Sequence, residues 1–274
     1  MKCRAWGPEL RERHLLLCRI HDGEGNEKLL AVYACPTCKL ESEIVPMAQQ
    51  LRAWAILNEG ADLQAQARLQ EALGCFEFAL TVGPDSAIAW YNKGCVLNNL
   101  QRFEEALPCY DRALSIDPQY AEAWHNKGCA LRALERISEA LECFHHALHI
   151  NPQKANAWTS KGNALLATGC SQEALQCYEQ ALATNPDNAT AWFGKGCAMA
   201  QLGQMKEALQ CLDQALAIDP RNSEAWSKKG HAFCVLGQFL EALDCYEQAL
   251  ASDPQDPVVQ QNKQALLARL GSGC

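Results

Sequence analysis

The fold class this 274-residue chain predicts is an all-α array of stacked helix pairs preceded by a small N-terminal β-hairpin module. Three observations predict it. Trp90, Trp124, Trp158, Trp192 and Trp226 lie 34 residues apart, as do six glycines from Gly60 to Gly230 and six prolines from Pro84 to Pro254. Within each block the apolar and small positions step by three or four, which is helical spacing. Ahead of the blocks the pattern changes to short apolar runs separated by turn residues. A fixed period of this length marks units that cannot bury an apolar face alone, so a continuous core exists only across the stack.

The N-terminal segment, 1–45, reads as β. Leu15 to Ile20 and Leu29 to Ala34 are strand-like, and His21-Asp22-Gly23-Glu24-Gly25-Asn26-Glu27 between them is turn chemistry. The second strand runs into Cys35-Pro36-Thr37-Cys38, and Glu41 to Val45 is expected to be the strand that leaves it. A Cys-x2-Cys at a hairpin tip is similar to the knuckle of a zinc ribbon, but it is half a site and needs two more ligands. A hairpin turning at Glu24 brings Cys35 opposite Arg13 and His14. Cys18 falls opposite Leu30, roughly 15 Å down the ladder at about 3.3 Å per residue. The expected structural Zn2+ ligands are therefore Cys3, His14, Cys35 and Cys38, with Cys18 and His21 as the alternative pair. So short a segment has little core of its own, which favours a metal staple. The competing reading is a hairpin cap with incidental thiols.

Pro46 is expected to start a helix running from about Met47 through Gln66 into the first block, with no flexible linker. Each block then reads as helix, short turn, helix and a Pro-containing turn, as in Trp90 to Pro118. Gly94 and its equivalents let two helices approach closely. Ala106 and Ala113 keep the crossing slim, and large aromatics fill the space beside it. A glycine at the inter-helix turn, as in Thr168-Gly169-Cys170-Ser171, supplies a left-handed conformation that ends the first helix.

Trp-x3-Gly-x2-Leu, then Ala-x3-Tyr/Phe-x2-Ala, then Pro resembles the tetratricopeptide repeat. Six repeats fit, at about 53–86, 87–120, 121–154, 155–188, 189–222 and 223–256, the first degenerate with Ile56 in the Trp column. A helix of roughly 257–270 carrying Val258, Ala265, Leu266 and Leu270 is expected to cap the array, leaving 271–274 as a flexible tail. The resemblance implies a right-handed superhelical solenoid whose first helices line a concave groove for a protein or peptide partner. On the columns it assigns to that groove stand Tyr91, His125 and Phe193; then Cys95, Asn163 and His231; then Asn98 and Arg132. The lining is mostly neutral and lacks the Lys and Asn pair of members that grip a C-terminal carboxylate. Tyr91 and Phe193 read either as groove anchors or as residues packed on neighbouring repeats. Lys93, Lys127, Lys161, Lys195 and Lys229 depart from the usual aliphatic residue of their column. They form either an anion-binding stripe or side chains whose stems pack while their heads reach water or a carboxylate on the next helix.

Composition narrows the function. Hydrophobic residues make up 49% of the chain, enough for a continuous core, and the net charge of −8 argues against a dominant nucleic-acid surface. Residues 1–45 carry equal numbers of basic and acidic side chains, so no basic patch supports the alternative of a zinc-ribbon regulator touching nucleic acid or transcription machinery. No apolar run reaches the length of a membrane span. Six of the sixteen cysteines, Cys75, Cys109, Cys143, Cys177, Cys211 and Cys245, share one column of the second helix and are expected to pack as small buried hydrophobes. Cys95, Cys129 and Cys197 share a column of the first helix, too far apart on successive repeats to hold one ion. Free thiols imply a reducing compartment, and the chain is expected to be cytoplasmic. There is no phosphate loop, nucleophile elbow or His-Glu-x2-His motif. The expected function is a non-enzymatic scaffold or adaptor with no small-molecule substrate and no cofactor in the repeats.

Overall fold

The computed structural model describes residues 15–21, 27–33 and 41–271, with side chains from 52 to 270. Two strands, β1 (Leu15–His21) and β2 (Glu27–Tyr33), pair antiparallel with Leu15 opposite Tyr33 and Cys18 opposite Leu30. Helices follow. The first set is α1 (Glu41–Ala65), α2 (Leu69–Val82), α3 (Ala87–Asn99) and α4 (Phe103–Ile116). Next come α5 (Ala121–Ala133), α6 (Ile137–Ile150), α7 (Ala155–Ala167) and α8 (Ser171–Thr184). The last are α9 (Ala189–Gln201), α10 (Met205–Ile218), α11 (Ser223–Val235), α12 (Phe239–Ser252) and α13 (Pro257–Gly271). Contacts divide the chain into two compact units, Met1–Ala123 and Trp124–Cys274.

Glu41–Val45 is not a strand but the opening of α1, which begins ahead of Met47 and carries the 45/46 boundary inside a helix. Glu41 and Glu43 fall in the first turn of this helix, where the macrodipole favours acidic residues. Pro46 falls in the second turn, so it forfeits one amide donor without breaking the helix. The Cys3, His14, Cys35 and Cys38 set lies outside the described residues.

In Met1–Ala123, α1 pairs with α2 and α3 with α4, and α2 packs on α3. In Trp124–Cys274 the pairs α7/α8, α9/α10 and α11/α12 follow the same scheme, and α13 packs on α12. The glycine column explains the close pairing. A Cβ on Gly94 would lie 2.7 Å from Cε1 of Tyr110, and one on Gly162 would lie 2.7 Å from Cε1 of Tyr178. Both tyrosines are fully buried, as are Phe76 and Phe144 in the same column. Burial of one such side chain is worth about 2–3 kcal/mol. Cys109, Cys143, Cys177, Cys211 and Cys245 are buried beside them, which bears out their reading as small hydrophobes; Cys75 is half-buried.

Local chemistry sets the ends of the helices. Ser86, Asn188 and Asn222 accept hydrogen bonds from the amides of Ala89, Ala191 and Ala225, as N-caps do. Asp117, Asn151, Asn185, Asp219 and Asp253, each just before a proline, turn their Oδ1 to the amide two residues on. The turn inside each pair needs a left-handed residue. Gly169, Gly203 and Gly237 supply it at φ +79°, but Ala67, Gln101 and Glu135 hold the same column at φ 59–60° without the freedom of glycine.

The terminal helix continues the column logic. Gln260 stands one period after Trp226, and its Nε2 donates to the carbonyl of Pro254 at 2.8 Å. This repeats the bonds from Nε1 of Trp90, Trp158, Trp192 and Trp226 to Pro84, Pro152, Pro186 and Pro220. Val259 and Leu266 are the buried residues of α13, whereas Val258 is 60% exposed and faces away from the core. Gly271 belongs to α13 rather than to a tail.

Candidate partner-binding site

The candidate residues on the inner columns of the first helices divide between the two units. Tyr91, Cys95 and Asn98 belong to Met1–Ala123; His125, Arg132, Asn163, Phe193 and His231 belong to Trp124–Cys274.

In the first unit Tyr91 is half-buried against two other tyrosines. Its ring lies 4.7 Å from that of Tyr120 and 6.3 Å from that of Tyr110. Burial pushes the Tyr91 phenol far above its ordinary range, and that of Tyr120 up to about 12. Tyr110 donates its hydroxyl to Sγ of Cys95 at 3.8 Å. One turn on, Oδ1 of Asn98 is buried and has no hydrogen-bond partner among the described residues. An unpaired buried carbonyl oxygen costs about 1–3 kcal/mol, so this one is poised to accept a donor.

The second unit holds a polar network. His125 Nδ1 pairs with Asn126 Oδ1 at 3.2 Å, and His125 Nε2 pairs with Ser160 Oγ at 3.1 Å. Sγ of Cys129 stands 3.7 Å from that Nε2. The ordering of Asn, His and Ser or Cys looks like a nucleophile and its base, but burial pushes the Cys129 thiol up and keeps it protonated. The network is suited to hydrogen bonding rather than attack. Tyr178 donates to Asn163 Oδ1 at 2.7 Å, and its ring sits where a Cβ on Gly194 would come within 2.5 Å. Phe193 packs on Leu212, Leu216 and Ala225 beside Trp226. Arg132 and His231 are exposed.

Sequence reasoning missed Tyr120, Ser160 and Gly194. Tyr120 stands where Ser86 and Asn188 are caps, a departure visible in the repeat alignment. Ser160 and Gly194 are unremarkable one residue before the lysine column. Their roles come from the side chains that approach them from another helix.

The lysine column is not a stripe of free cations. Lys93, Lys195, Lys229 and Lys263 lie 3.0, 3.3, 2.7 and 2.9 Å from Glu77, Glu179, Asp213 and Glu247 on the preceding second helix. The lysines of the Trp-x2-Lys segments also sit 4.9–5.8 Å from the centre of the tryptophan ring three residues earlier, as Lys229 does over Trp226. A cation above an aromatic face gains about 0.5–1 kcal/mol at an exposed site, as much as a surface ion pair. Among the described residues no group of three His, Cys, Asp or Glu is arranged to hold a metal, and no helix is long and apolar enough to cross a membrane.

The helix pairs, the glycine under an aromatic and the Trp-to-Pro bond together define a helical-repeat protein. Tetratricopeptide repeat profiles match residues 87–120, 121–154 and 223–256, and a second profile of that repeat matches 159–223. Together these windows span more than half of the sequence, and the chain belongs to the tetratricopeptide repeat family. Solved structures share the fold. YrrB, described as a tetratricopeptide protein with an unusual peptide-binding site, is 24% identical with a TM-score of 0.56, over 69% of this chain and 97% of its own. TTC0263, a thermophilic tetratricopeptide protein of Thermus thermophilus, is 25% identical with a TM-score of 0.56, over 67% of this chain and all of its own. PilF of Pseudomonas aeruginosa is 19% identical with a TM-score of 0.70, over 80% of this chain and 99% of its own. No curated protein matches the chain.

Proposed function

We propose that this chain is a non-enzymatic scaffold that holds a peptide or a segment of a partner protein against the inner columns of its first helices. Family membership makes protein interaction the default use of such an array, and the peptide-binding site of YrrB supports it by analogy. The observation that carries the reading is Asn98. Its buried carbonyl oxygen, on α3 three residues after Cys95, is an acceptor that lacks a donor among the described residues, and an extended peptide offers a backbone N–H. The second unit by itself carries His125, Asn163, Arg132, Phe193 and His231 on the equivalent columns of its own first helices.

Asn98→Leu tests this with two readouts of opposite sign. Removing an unsatisfied buried group should leave urea stability unchanged or raise it by about 1–3 kcal/mol. A partner captured by the intact chain should bind the variant less tightly. Lower stability with unchanged capture would reject the reading.

We further propose that the segment ahead of α1 forms a zinc-stapled module with Cys3, His14, Cys35 and Cys38 as ligands. The pairing of Cys18 with Leu30 inside the ladder supports leaving Cys18 out of that set. The free thiols of the described cysteines suit a reducing, cytoplasmic setting.

A further inference from the structure

The tyrosine of a helix pair does not meet the same partner in every repeat. Tyr110 donates to Sγ of Cys95 at 3.8 Å, and the hydroxyl of Tyr246 stands 3.7 Å from Sγ of Cys234. Tyr178 instead donates to Oδ1 of Asn163 at 2.7 Å. Its ring is fixed for that bond. A Cβ on Gly162 of α7 would lie 2.7 Å from it, and one on Gly194 of α9 would lie 2.5 Å from it. Every other first helix carries Asn, Ser or Lys in the column of Gly194, so this seat belongs to one repeat. Because Oδ1 accepts the tyrosine, the Nδ2 hydrogens of Asn163 are left over as donors. Among the described residues no acceptor meets them, and Asn163 is only half-buried.

Positive charge stands beside this amide. Burial pushes the Tyr178 phenol up, and the Arg132 charge opposes it. Burial also pushes the Cys129 thiol up, against the Ser160 hydrogen bond and the charges of Arg132 and Lys154. On the inner columns of the second unit, from His125 to Cys234, there is no Asp or Glu. Arg132 is exposed on the last turn of α5, and among the described residues no carboxylate lies within ion-pair distance of it. Other arginines are engaged. Arg68, Arg102 and Arg136 each grip the glutamate three residues on through both its oxygens.

We propose that Arg132 and Asn163 form a subsite for an Asp or Glu side chain on an extended, acidic segment of the partner. The inference rests on the groove reading and names the partner's chemistry within the second unit. The guanidinium offers a planar fork of N–H groups and the fixed amide a further donor, which is the set a carboxylate accepts. In a chain of net charge −8, an inner surface with this cation and no acid selects its partner by charge as well as by shape.

The test uses the full chain and a fluorescein-labelled, C-terminally amidated peptide of alternating Asp and Leu, with the Asn/Leu peptide as control, by anisotropy at low salt. The Asp peptide should bind about tenfold tighter or more, as a charge-assisted hydrogen bond would give. Arg132→Gln should abolish that preference and leave the urea midpoint where it is. Asn163→Asp keeps an oxygen for Tyr178 but replaces the donor by a second carboxylate oxygen, and it should abolish or invert the preference. Arg221→Gln, exposed and off the inner columns, should retain it. Equal binding of the two peptides overturns the inference, as does no binding of the Asp peptide. A preference that survives Arg132→Gln or Asn163→Asp overturns it too. An Asn/Leu peptide with a free C-terminal carboxylate should gain nothing over its amide; if it alone gains affinity, the subsite holds a chain end and the inference falls. The groove reading stands or falls separately, on Asn98→Leu in the first unit.

Discussion

Gly162 and Tyr178 occupy the same space by design of the repeat: the tyrosine ring lies where any Cβ at position 162 would stand, with Cε1 at 2.7 Å. The ring is fully buried and its hydroxyl is committed to Asn163, so it has nowhere to retreat. Gly162→Leu should therefore destabilise by about 1–3 kcal/mol or more through overpacking. Because repeat stability is shared through interfaces, the loss should be felt by the neighbouring helices as well. Urea unfolding measures it, and a midpoint equal to wild type would contradict this packing.

The left-handed turn residue makes a complementary prediction. Glu135 and Gln101 hold φ 60° where later repeats use glycine. A residue with a Cβ loses roughly 1–2 kcal/mol in that region, and glycine offsets part of its own advantage through its greater freedom when unfolded. Gln101→Gly should raise stability by about 0.5–1 kcal/mol, and Gly203→Ala should lower it by about 1 kcal/mol. Paired thermal melts would show opposite shifts; shifts of one sign would mean that the turn does not set the stability.

The buried thiols predict a pH dependence. Burial pushes Cys197 and Cys245 up to about 11. In the unfolded chain a thiol ionises near about 8.5, so the folded state holds the proton more tightly. Stability from this source is present in full below that lower value and is lost as pH rises towards about 11. Urea midpoints should fall between about pH 8.5 and 10, and replacing Cys197 and Cys245 by Ala should flatten the slope. Alkylation of native protein near pH 8, mapped by mass spectrometry, should mark exposed Cys170 well before Cys109, Cys177 or Cys245.

Metal analysis tests the N-terminal proposal. One zinc per chain is expected, with Cys38→Ser abolishing it and Cys18→Ser leaving it nearly intact. Chelation should unfold the N-terminal module and spare the repeats, whose core comes from helix stacking. A metal-free chain with a folded N-terminus would rule the staple out. Zinc lost with Cys18→Ser but kept with Cys3→Ser would keep the site and change its ligands.

The period of 34 residues, the order of helices, the glycine beneath the large side chain of each helix pair and the buried cysteine column were all legible in the sequence. Each repeats at a fixed interval and reflects chemistry within one helix pair. Other features depended on what another helix brings. Tyr91 and Phe193 read in the sequence as either anchors or packing, and only placement beside Tyr120 and Leu212 shows how far they are covered. Asn98 is one of several amides on a column until the fold leaves its carbonyl buried and unpaired. The start of α1 at Glu41 was missed because short polar runs flanked by Pro satisfy strand and helix signals alike. The lysines show the division most plainly. Their recurrence is a property of the sequence, but whether each ammonium is neutralised depends on one residue sixteen positions away, carried on a different helix. Periodicity is encoded locally; the pairing of charges and the filling of space are settled only when the helices meet.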